Sequence, residues 1–388
     1  MEKKCIILRK KTYCLLIIYI NKNRYRMSVT SISSKNKNLL WAVSAGRCEY
    51  IGCNKVLHTD ILTNKKCNSA YIAHIVGDEP TGPRGDIKRS KLLANDINNL
   101  MLLCDTHHRM VDEDEITYTE PCLLEMKRQH EERIRRITDI APNMSSEIIL
   151  YGANIGINNS PLSYQSACEA LLYDYYPASD NAIELRMKNV PFTDDTDTYW
   201  MMEEANLYEQ FKLQIKPRLM QGNADHYSVF ALAPQPLLIK LGVLLNDLND
   251  VKVYQKHREP STWKWQSVSN NIEYVLHEPA NKTKIPVLVF SLSATVTHDR
   301  IQKALGENTS IWEITISGTP NNDFLKTETL LSEFRRTVRS AFDKIKFHHG
   351  CTELHIFPAM PVSASVELGR VWMPKVDMPM TCLLYTSP

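Results

Sequence analysis

The pattern of apolar and polar positions divides the chain into a first third and a longer remainder. The first third ends in a predicted amphipathic helix whose inward positions recur every three or four residues, at Leu123, Met126, His130, Ile134 and Ile137. Residues 139–146, which include Pro142 and Asn143, break this period and are typical of a linker. The pattern therefore predicts a small first domain that closes with a helix.

The rest of the chain alternates predicted strands with predicted helices. Apolar and polar side chains alternate over 183–187, and apolar runs predict further strands over 227–233, 251–254, 286–292 and 311–316. One helix is predicted over 237–248, with Pro236 at its first position, and another from the stripe Leu331, Phe334, Val338, Ala341 and Ile345. This alternation predicts an α/β domain with a largely parallel sheet.

The length of 388 residues favours two domains. We expect an N-terminal extension over 1–38, a small domain over 39–138, a linker over 139–150 and a larger domain over 151–381. The extension is expected to be disordered or to precede a true start at Met27, and its apolar run is far shorter than the roughly 20 residues of a membrane span. Residues 382–388 resemble translated sequencing adapter, so we expect the natural C-terminus to be missing.

Composition and charge narrow the class of protein. With 43% hydrophobic and 23% charged residues, the chain has the composition of a soluble globular protein. The net charge of +2 gives no global basic field, so any contact with DNA must come from local patches. Ten unevenly clustered cysteines are too sparse for a disulfide scaffold and indicate metal binding in a reducing compartment. We therefore expect a cytoplasmic protein with no membrane partner.

Two short motifs carry four candidate zinc ligands. They are Cys48-x4-Cys53 and Cys104-x2-His107, and each would place two ligands on one ion. His74 and Asn99 lie between the motifs, and His108 follows the second at once. The whole arrangement resembles the HNH, or ββα-metal, nuclease family.

The resemblance implies an α+β domain stapled by a structural zinc ion, with roles for three further residues. His74 would be the general base, Asn99 would orient the loop or the base, and His108 would ligate a catalytic Mg²⁺ or similar divalent ion. Many members carry an acidic metal ligand just before the base, whereas this chain has Ala73 there. A second carboxylate ligand is therefore unassigned among Asp78, Asp86 and Asp96.

Two other functions stay open at this point. The four zinc ligands would also suit a structural module that binds DNA without cutting it, and His74 would then be a core histidine. Alternatively, the chain is a restriction endonuclease whose larger domain recognises modified DNA. Treatment of methylated and unmodified DNA, and substitution of His74, would separate these possibilities.

The loop between the zinc motifs is rich in cations. Arg84, Lys88 and Arg89 are candidates for contacts with DNA phosphates, which would make binding depend on salt. The alternative is a solvated loop without a partner. We find no base-reading helix or aromatic ladder, so cleavage without sequence specificity is expected.

The larger domain has candidate ligand-binding residues where predicted strands end, because parallel α/β sheets bind ligands at the carboxyl ends of their strands. One group is Ser291, Ser293 and Met360. The other comprises Lys256, His257 and Arg258, followed by Trp263 and Trp265, which offers cations for phosphates and rings for bases. The alternative for the two tryptophans, spaced i,i+2, is a strand face packed in the core.

Segments 226–242, 251–265 and 355–375 resemble the SAVED domain, and the resemblance extends over about 151–375. It implies two fused halves of CARF-like, Rossmann-like fold that bind cyclic oligonucleotides. Together with an HNH domain, such a sensor occurs in effectors of CBASS, a bacterial anti-phage system. The pairing implies that a cyclic di- or trinucleotide drives self-association and that the activated chain cuts double-stranded DNA in abortive infection.

Overall fold

The computed structural model describes residues 30–187, 190–221, 226–247, 250–268, 272–350 and 352–383. The chain forms two compact units, Met1–Asp139 and Ile140–Pro388, each described here by itself. Residues 1–29 of the predicted extension lie outside the described residues. The same holds for 384–388 of the predicted adapter sequence.

The first unit is a two-stranded sheet surrounded by short helices. Its elements are α1 (Ser34–Val43), β1 (Ala70–His74), α2 (Ser90–Leu93), β2 (Leu100–Cys104), α3 (Asp105–Glu113) and α4 (Glu120–Thr138). β1 and β2 pair antiparallel, with His74 opposite Leu100, and α3 follows β2 without a loop. The two strands and α3 therefore form a ββα arrangement at the centre of the unit.

The core of this unit is small and reaches further towards the N-terminus than the sequence predicts. β2 is buried along its whole length and packs with Leu40 of α1, Val111 of α3 and Leu123 of α4. Ile32 also lies in this core. The predicted boundary between extension and domain at residue 38 is therefore wrong, because α1 and the residue before its N-cap bury apolar surface against the sheet.

The predicted closing helix is confirmed as α4. Pro121 occupies its first turn, where a missing N–H costs no helical hydrogen bond. His130 is buried on its inner face, and its Nε2 lies 3.0 Å from the Ser44 carbonyl oxygen. This contact links the end of α1 to the middle of α4.

The second unit contains two separate sheets. The first has the order β4-β3-β6-β7, with β5 beside β3, and all pairs are parallel. Its strands are β3 (Ser145–Gly152), β4 (Tyr176–Pro177), β5 (Ile183–Glu184), β6 (Tyr227–Leu232) and β7 (Val251–Tyr254). The apolar runs that predict β6 and β7 are thus confirmed, whereas the predicted strand over 183–187 is only two residues long.

The second sheet has the order β12-β11-β9-β10-β8. Only β8 runs antiparallel to its neighbour among the described strands. The strands are β8 (Tyr274–His277), β9 (Ile285–Ser291), β10 (Thr309–Ile316), β11 (Leu354–Ala359) and β12 (Met380–Cys382). The predicted α/β class with largely parallel sheets is therefore confirmed.

Helices cover both sheets. They are α5 (Tyr164–Leu171), α6 (Asp197–Gln214), α7 (Lys216–Gln221), α8 (Gln235–Leu244), α9 (His298–Leu305), α10 (Glu328–His349) and α11 (Val362–Val371). The long predicted helix is α10, and its predicted apolar stripe packs on the second sheet against Phe290 and Trp312. The other predicted helix is α8, which gives way to a 3₁₀ turn at Leu245 rather than continuing to residue 248.

Two glycines let α8 and α11 approach closely. A Cβ atom on Gly242 would lie 1.9 Å from the carbonyl oxygen of Val366, and one on Gly369 would lie 2.0 Å from that of Ile239. Val366 packs with the first sheet, while Ile239 packs with the second. The helices therefore join the cores of the two halves, and no larger residue fits at either glycine.

Two further predictions are wrong. The predicted linker over 139–150 contains most of β3, which pairs with β4, β5 and β6. Ser146, near the start of β3, is polar but not solvated, because its hydroxyl shares a hydrogen bond with that of Ser228 inside the sheet. Trp263 and Trp265 do not share a strand face, since the chain has no strand at these positions.

Candidate functional site

The four predicted zinc ligands come together in the first unit. Cys48, Cys53, Cys104 and His107 offer ligand atoms that all lie within 4.8 Å of one another. Nδ1 of His107 is 3.2 Å from Sγ of Cys104 and 3.6 Å from Sγ of Cys48. Tetrahedral zinc separates sulfur and nitrogen ligands by about 3.5 Å, as its bond lengths require, so the cluster fits this ion.

The surroundings of the cluster support metal binding. The ring of His107 stacks on Tyr50 with centroids 3.9 Å apart, and the Tyr50 hydroxyl is 2.8 Å from that of Tyr118. Burial lowers the pKa of His107, which favours the neutral imidazole that a metal needs. Burial raises the pKa of Cys48 to about 12, and the amide of Cys104, which donates to its Sγ at 3.3 Å, opposes this rise. Three sulfurs and one imidazole are a common zinc ligand set.

His74 is the last residue of β1, and Asn99 directly precedes β2 at the same edge of the sheet. Nε2 of His74 is 2.9 Å from the carbonyl oxygen of Ala94, an arrangement in which Nε2 donates and Nδ1 carries the lone pair. The side chain of Asn99 accepts from the amide of Val76 and donates to its carbonyl oxygen, at 2.8 and 2.9 Å. Asn99 thus holds the chain that follows His74, as the sequence predicts for a residue that orients this loop.

His108 lies in the first turns of α3 and approaches β1. Its ring centroid is 5.3 Å from that of Tyr71, and its Nδ1 is 3.6 Å from a carboxylate oxygen of Asp112. Burial lowers the pKa of His108, and the carboxylate of Asp112 opposes this effect. Because Tyr71 belongs to β1, His108 lies beside the strand that ends at the other predicted catalytic histidine, His74.

Asp112 is the carboxylate that the sequence analysis misses. It lies one turn after His108 on α3, and this i,i+4 spacing is the signal that would have identified it. The three predicted candidates have other partners: Asp78 accepts from the amide of Thr30, 48 residues before it, and Asp86 and Asp96 cap turns. An imidazole and a carboxylate on one helix face are suitable ligands for a divalent ion.

Arg84 is a structural residue, which corrects its predicted contact with DNA. Its side chain is only 6% exposed. The guanidinium donates to the carbonyl oxygens of His74, Ile75 and Val111 and to the carboxylate of Asp112. It therefore ties the end of β1 to α3 and has no surface to offer a phosphate.

The other two predicted DNA contacts lie at the surface. Arg89 forms a bidentate ion pair with Glu120 of α4, whereas Lys88 is exposed. The amides of both residues donate to Asp86 at 2.8 Å, so the turn that carries them is capped. A contact of Lys88 or Arg89 with DNA stays a prediction.

In the second unit, Ser291, Ser293 and Met360 meet at one edge of the second sheet, as predicted from the carboxyl ends of β9 and β11. The amide of Ser293 donates to the carbonyl oxygen of Ala359 at 2.7 Å, and Oγ of Ser291 accepts from the amide of Val296. Met360 is buried in the core. The edge is thus assembled, but the side chains of Ser291 and Met360 face protein.

The predicted group after β7 divides between core and surface. Trp263 is buried beneath Lys256, whose Nζ lies 5.6 Å from the indole centroid, and Arg258 is exposed. His257 is buried, and its ring meets that of Trp265 edge to face at 5.7 Å. Contact of these residues with a ligand stays a prediction.

Trp265 also lines a cavity of about 500 Å³. Lys252 projects from β7 into its wall and bridges Asp174 and Glu328 at 2.9 and 2.8 Å. Glu328 begins α10 of the second half, while the other two belong to the first half. The cavity therefore lies where the two halves of this unit meet.

Comparison with known proteins identifies the class of the second unit. Residues 207–387 match the family model described as the SMODS-associated and fused to various effectors sensor domain, SAVED. The second unit therefore contains a SAVED-like α/β domain. The predicted SAVED resemblance is confirmed for this stretch, while the predicted extension to residue 151 lies outside the match.

The chain is also similar, at low sequence identity, to solved structures of a SAVED/CARF-domain receptor. The Acinetobacter baumannii Cap4 SAVED/CARF-domain receptor with the cyclic trinucleotide 2′3′3′-cAAA is 12% identical, with a TM-score of 0.37, over 76% of this chain and 63% of that one. The same receptor with 3′3′3′-cAAA is 11% identical, with a TM-score of 0.38, over 76% and 56%. The chain thus spans less than two thirds of these structures. No curated protein matches it.

A search for membrane spans covers the described residues alone. None of their helices combines the length and the apolar character needed to cross a bilayer.

Proposed function

We propose that the chain is a metal-dependent DNA endonuclease of HNH type that a cyclic oligonucleotide activates through the SAVED domain. The observation that carries the nuclease half is one arrangement in the first unit. The backbone of His74, at the end of β1, is tied through Arg84 to Asp112 of α3, whose carboxylate lies 3.6 Å from His108, in the same unit as a Cys–His cluster that fits zinc. These are the groups that hydrolysis of a phosphodiester requires.

Each residue has a role that follows from its contacts. Since Nε2 of His74 donates to Ala94, its Nδ1 is the atom that takes a proton from water. His108 and Asp112 would hold the divalent ion, which when bound polarises the phosphate and stabilises the leaving oxygen. Arg84 donates to the carboxylate of Asp112 and to the carbonyl oxygen of His74, which fixes Asp112 relative to β1.

The sensor half rests on the family match over 207–387. SAVED domains bind cyclic oligonucleotides in CBASS effectors, and the Cap4 receptor named above holds cyclic trinucleotides. We extend this ligand class to the present chain. A messenger can gate cutting only if it binds the active state more tightly than the resting state, since equal affinity shifts no population. Self-association is the change of state that we expect, in a defence against phage.

Substitutions in the first unit test the nuclease half. We expect H74A and H108A to reduce cutting of duplex DNA about 100-fold or more, because loss of a general base or metal ligand commonly has this effect. D112N is expected to raise the Mg²⁺ concentration needed for half-maximal rate. Initial cleavage rates at saturating messenger measure both effects.

A matched control separates catalysis from folding. H58A removes an exposed histidine of the same unit and should cut at the parental rate. Zinc content and melting temperature should be equal in the parent and the four variants. Full activity in H74A would overturn the nuclease assignment and favour a DNA-binding sensor.

A further inference from the structure

His107 differs from the other three candidate zinc ligands because its ring carries two nitrogen atoms that can bind a metal. In the structure Nδ1 faces the cluster, 3.2 Å from Sγ of Cys104 and 3.6 Å from Sγ of Cys48. A half-turn of the ring about χ2 would put a carbon atom in the place of Nδ1. The fit of the cluster to zinc therefore depends on what fixes the plane of this imidazole.

Tyr50 lies flat against that imidazole. The two ring centroids are 3.9 Å apart and the ring planes differ by 3°. Because the rings are already in van der Waals contact, a rotation of the imidazole would drive its edge into the phenol ring. Tyr50 belongs to the first zinc motif, and its carbonyl oxygen accepts from the amide of Cys53 at 3.0 Å. The first motif thus supplies two thiolates and the wall that orients the imidazole of the second motif.

Tyr50 is itself held in place at its far end by Tyr118. Their hydroxyl oxygens are 2.8 Å apart, and both rings pack against the core of the first unit. Tyr118 lies between α3 and α4, where its amide donates to the carbonyl oxygen of Asp114 at 3.0 Å. The ring of Tyr50 is therefore fixed by its backbone in the zinc motif and by its hydroxyl beyond α3.

We propose that Tyr50 is a positioning residue that keeps Nδ1 of His107 directed at the zinc ion and so slows release of the ion. This inference rests on the proposed zinc site and not on DNA cleavage. The ring of Tyr50, rather than its hydroxyl, touches His107, so phenylalanine should preserve this role and an aliphatic residue should lose it. Groups that orient a metal-binding histidine change metal affinity by about 10- to 100-fold.

The rate at which the full-length, zinc-loaded protein gives up its ion to an excess of a chromogenic chelator tests the proposal. Y50L should release zinc about tenfold faster than the parent, whereas Y50F should release it at the parental rate. I51A is the matched control, because Ile51 is the next residue of the same loop and is 58% exposed. Y50M removes the ring but fills more of its space, and it replaces Y50L if that variant does not fold.

Co²⁺ substituted for zinc gives a second readout that a merely structural role of Tyr50 would not change. The visible absorption of tetrahedral Co²⁺ depends on its ligands, so Y50L should alter the spectrum as His107 leaves the ion, while Y50F and I51A should not.

Parental release by Y50L, release by Y50F as fast as by Y50L, or a parental Co²⁺ spectrum in Y50L would each overturn the proposal. A parent protein that binds no zinc would overturn the zinc site as well, which distinguishes the two failures.

Discussion

At the scale of single residues, burial and hydrogen bonding decide which sequence candidates can still contact a ligand. Arg84 and Lys88 belong to the same cationic loop, yet the first is enclosed by carbonyl oxygens and the second is exposed. No property of the loop sequence separates them, since the partners of Arg84 come from β1 and α3. His74 is buried and its ring donates to the Ala94 carbonyl oxygen, so its role as the general base stays a prediction.

The zinc ligands give the first prediction. C48A or C104A should lose about one zinc ion per chain, since either change leaves three ligands for a tetrahedral ion. The first unit should then become protease-sensitive, because its core is too small to replace the metal. Metal analysis and limited proteolysis measure this, and C67S, at an exposed cysteine, is the control. Unchanged zinc content in both alanine variants would reject the cluster as a zinc site.

Glu203 gives a second prediction at this scale. It lies on the buried face of α6 between Tyr199 and Leu207, and within the described residues its carboxylate oxygens find no hydrogen-bond partner. Burial raises its pKa to about 7. The folded state therefore retains a proton that the unfolded state releases above about 4.5, so stability falls as pH rises through this window.

E203Q should remove this pH dependence. We expect it to be more stable than the parent by about 3 kcal/mol at pH 8 and by under about 1 kcal/mol at pH 5, because the buried charge is absent. Urea unfolding at the two pH values measures the difference. E209Q, on the exposed face of the same helix, should show neither effect. An equal gain at both pH values would contradict a titrating Glu203.

At the scale of elements, the sequence predicts a strand or helix correctly where one hydrophobic period runs through it. It misses an element whose polar residues are buried in a hydrogen-bond network. β6, α4 and α10 have a clear apolar period and appear close to their predicted bounds. β3 is missed because its polar start serves a buried network: Ser146 bonds with Ser228 and with the ring of His226. Such a network is visible only after the strands pair.

The contact of α8 with α11 gives a prediction for this scale. G242A should destabilise the second unit by about 3 kcal/mol, because its Cβ would meet backbone rather than a movable side chain. Urea unfolding measures the loss, and S340A on the exposed face of α10 serves as control. A parental unfolding midpoint for G242A would show that the two helices can separate at little cost.

At the scale of the whole molecule, composition predicts a soluble globular protein and the alternation of strands and helices predicts its α/β class, whereas the proposed functions depend on individual sites. The four zinc ligands are predictable because their spacing is short and metal chemistry restricts residue types. Asp112 could also have been identified from its i,i+4 spacing to His108, whereas its pairing with Arg84 depends on how β1 packs against α3. In the second unit, separate sheets with a shared helix contact provide two halves that a ligand at their junction would bias.

The most direct measurement of the central claim is the initial rate at which the purified full chain, loaded with zinc, cuts duplex DNA with Mg²⁺ across a panel of cyclic di- and trinucleotides. The account predicts that at least one messenger raises the rate about tenfold or more, and that H74A abolishes cutting under every condition. Cutting at one rate with and without every messenger, or undiminished cutting by H74A, would contradict it.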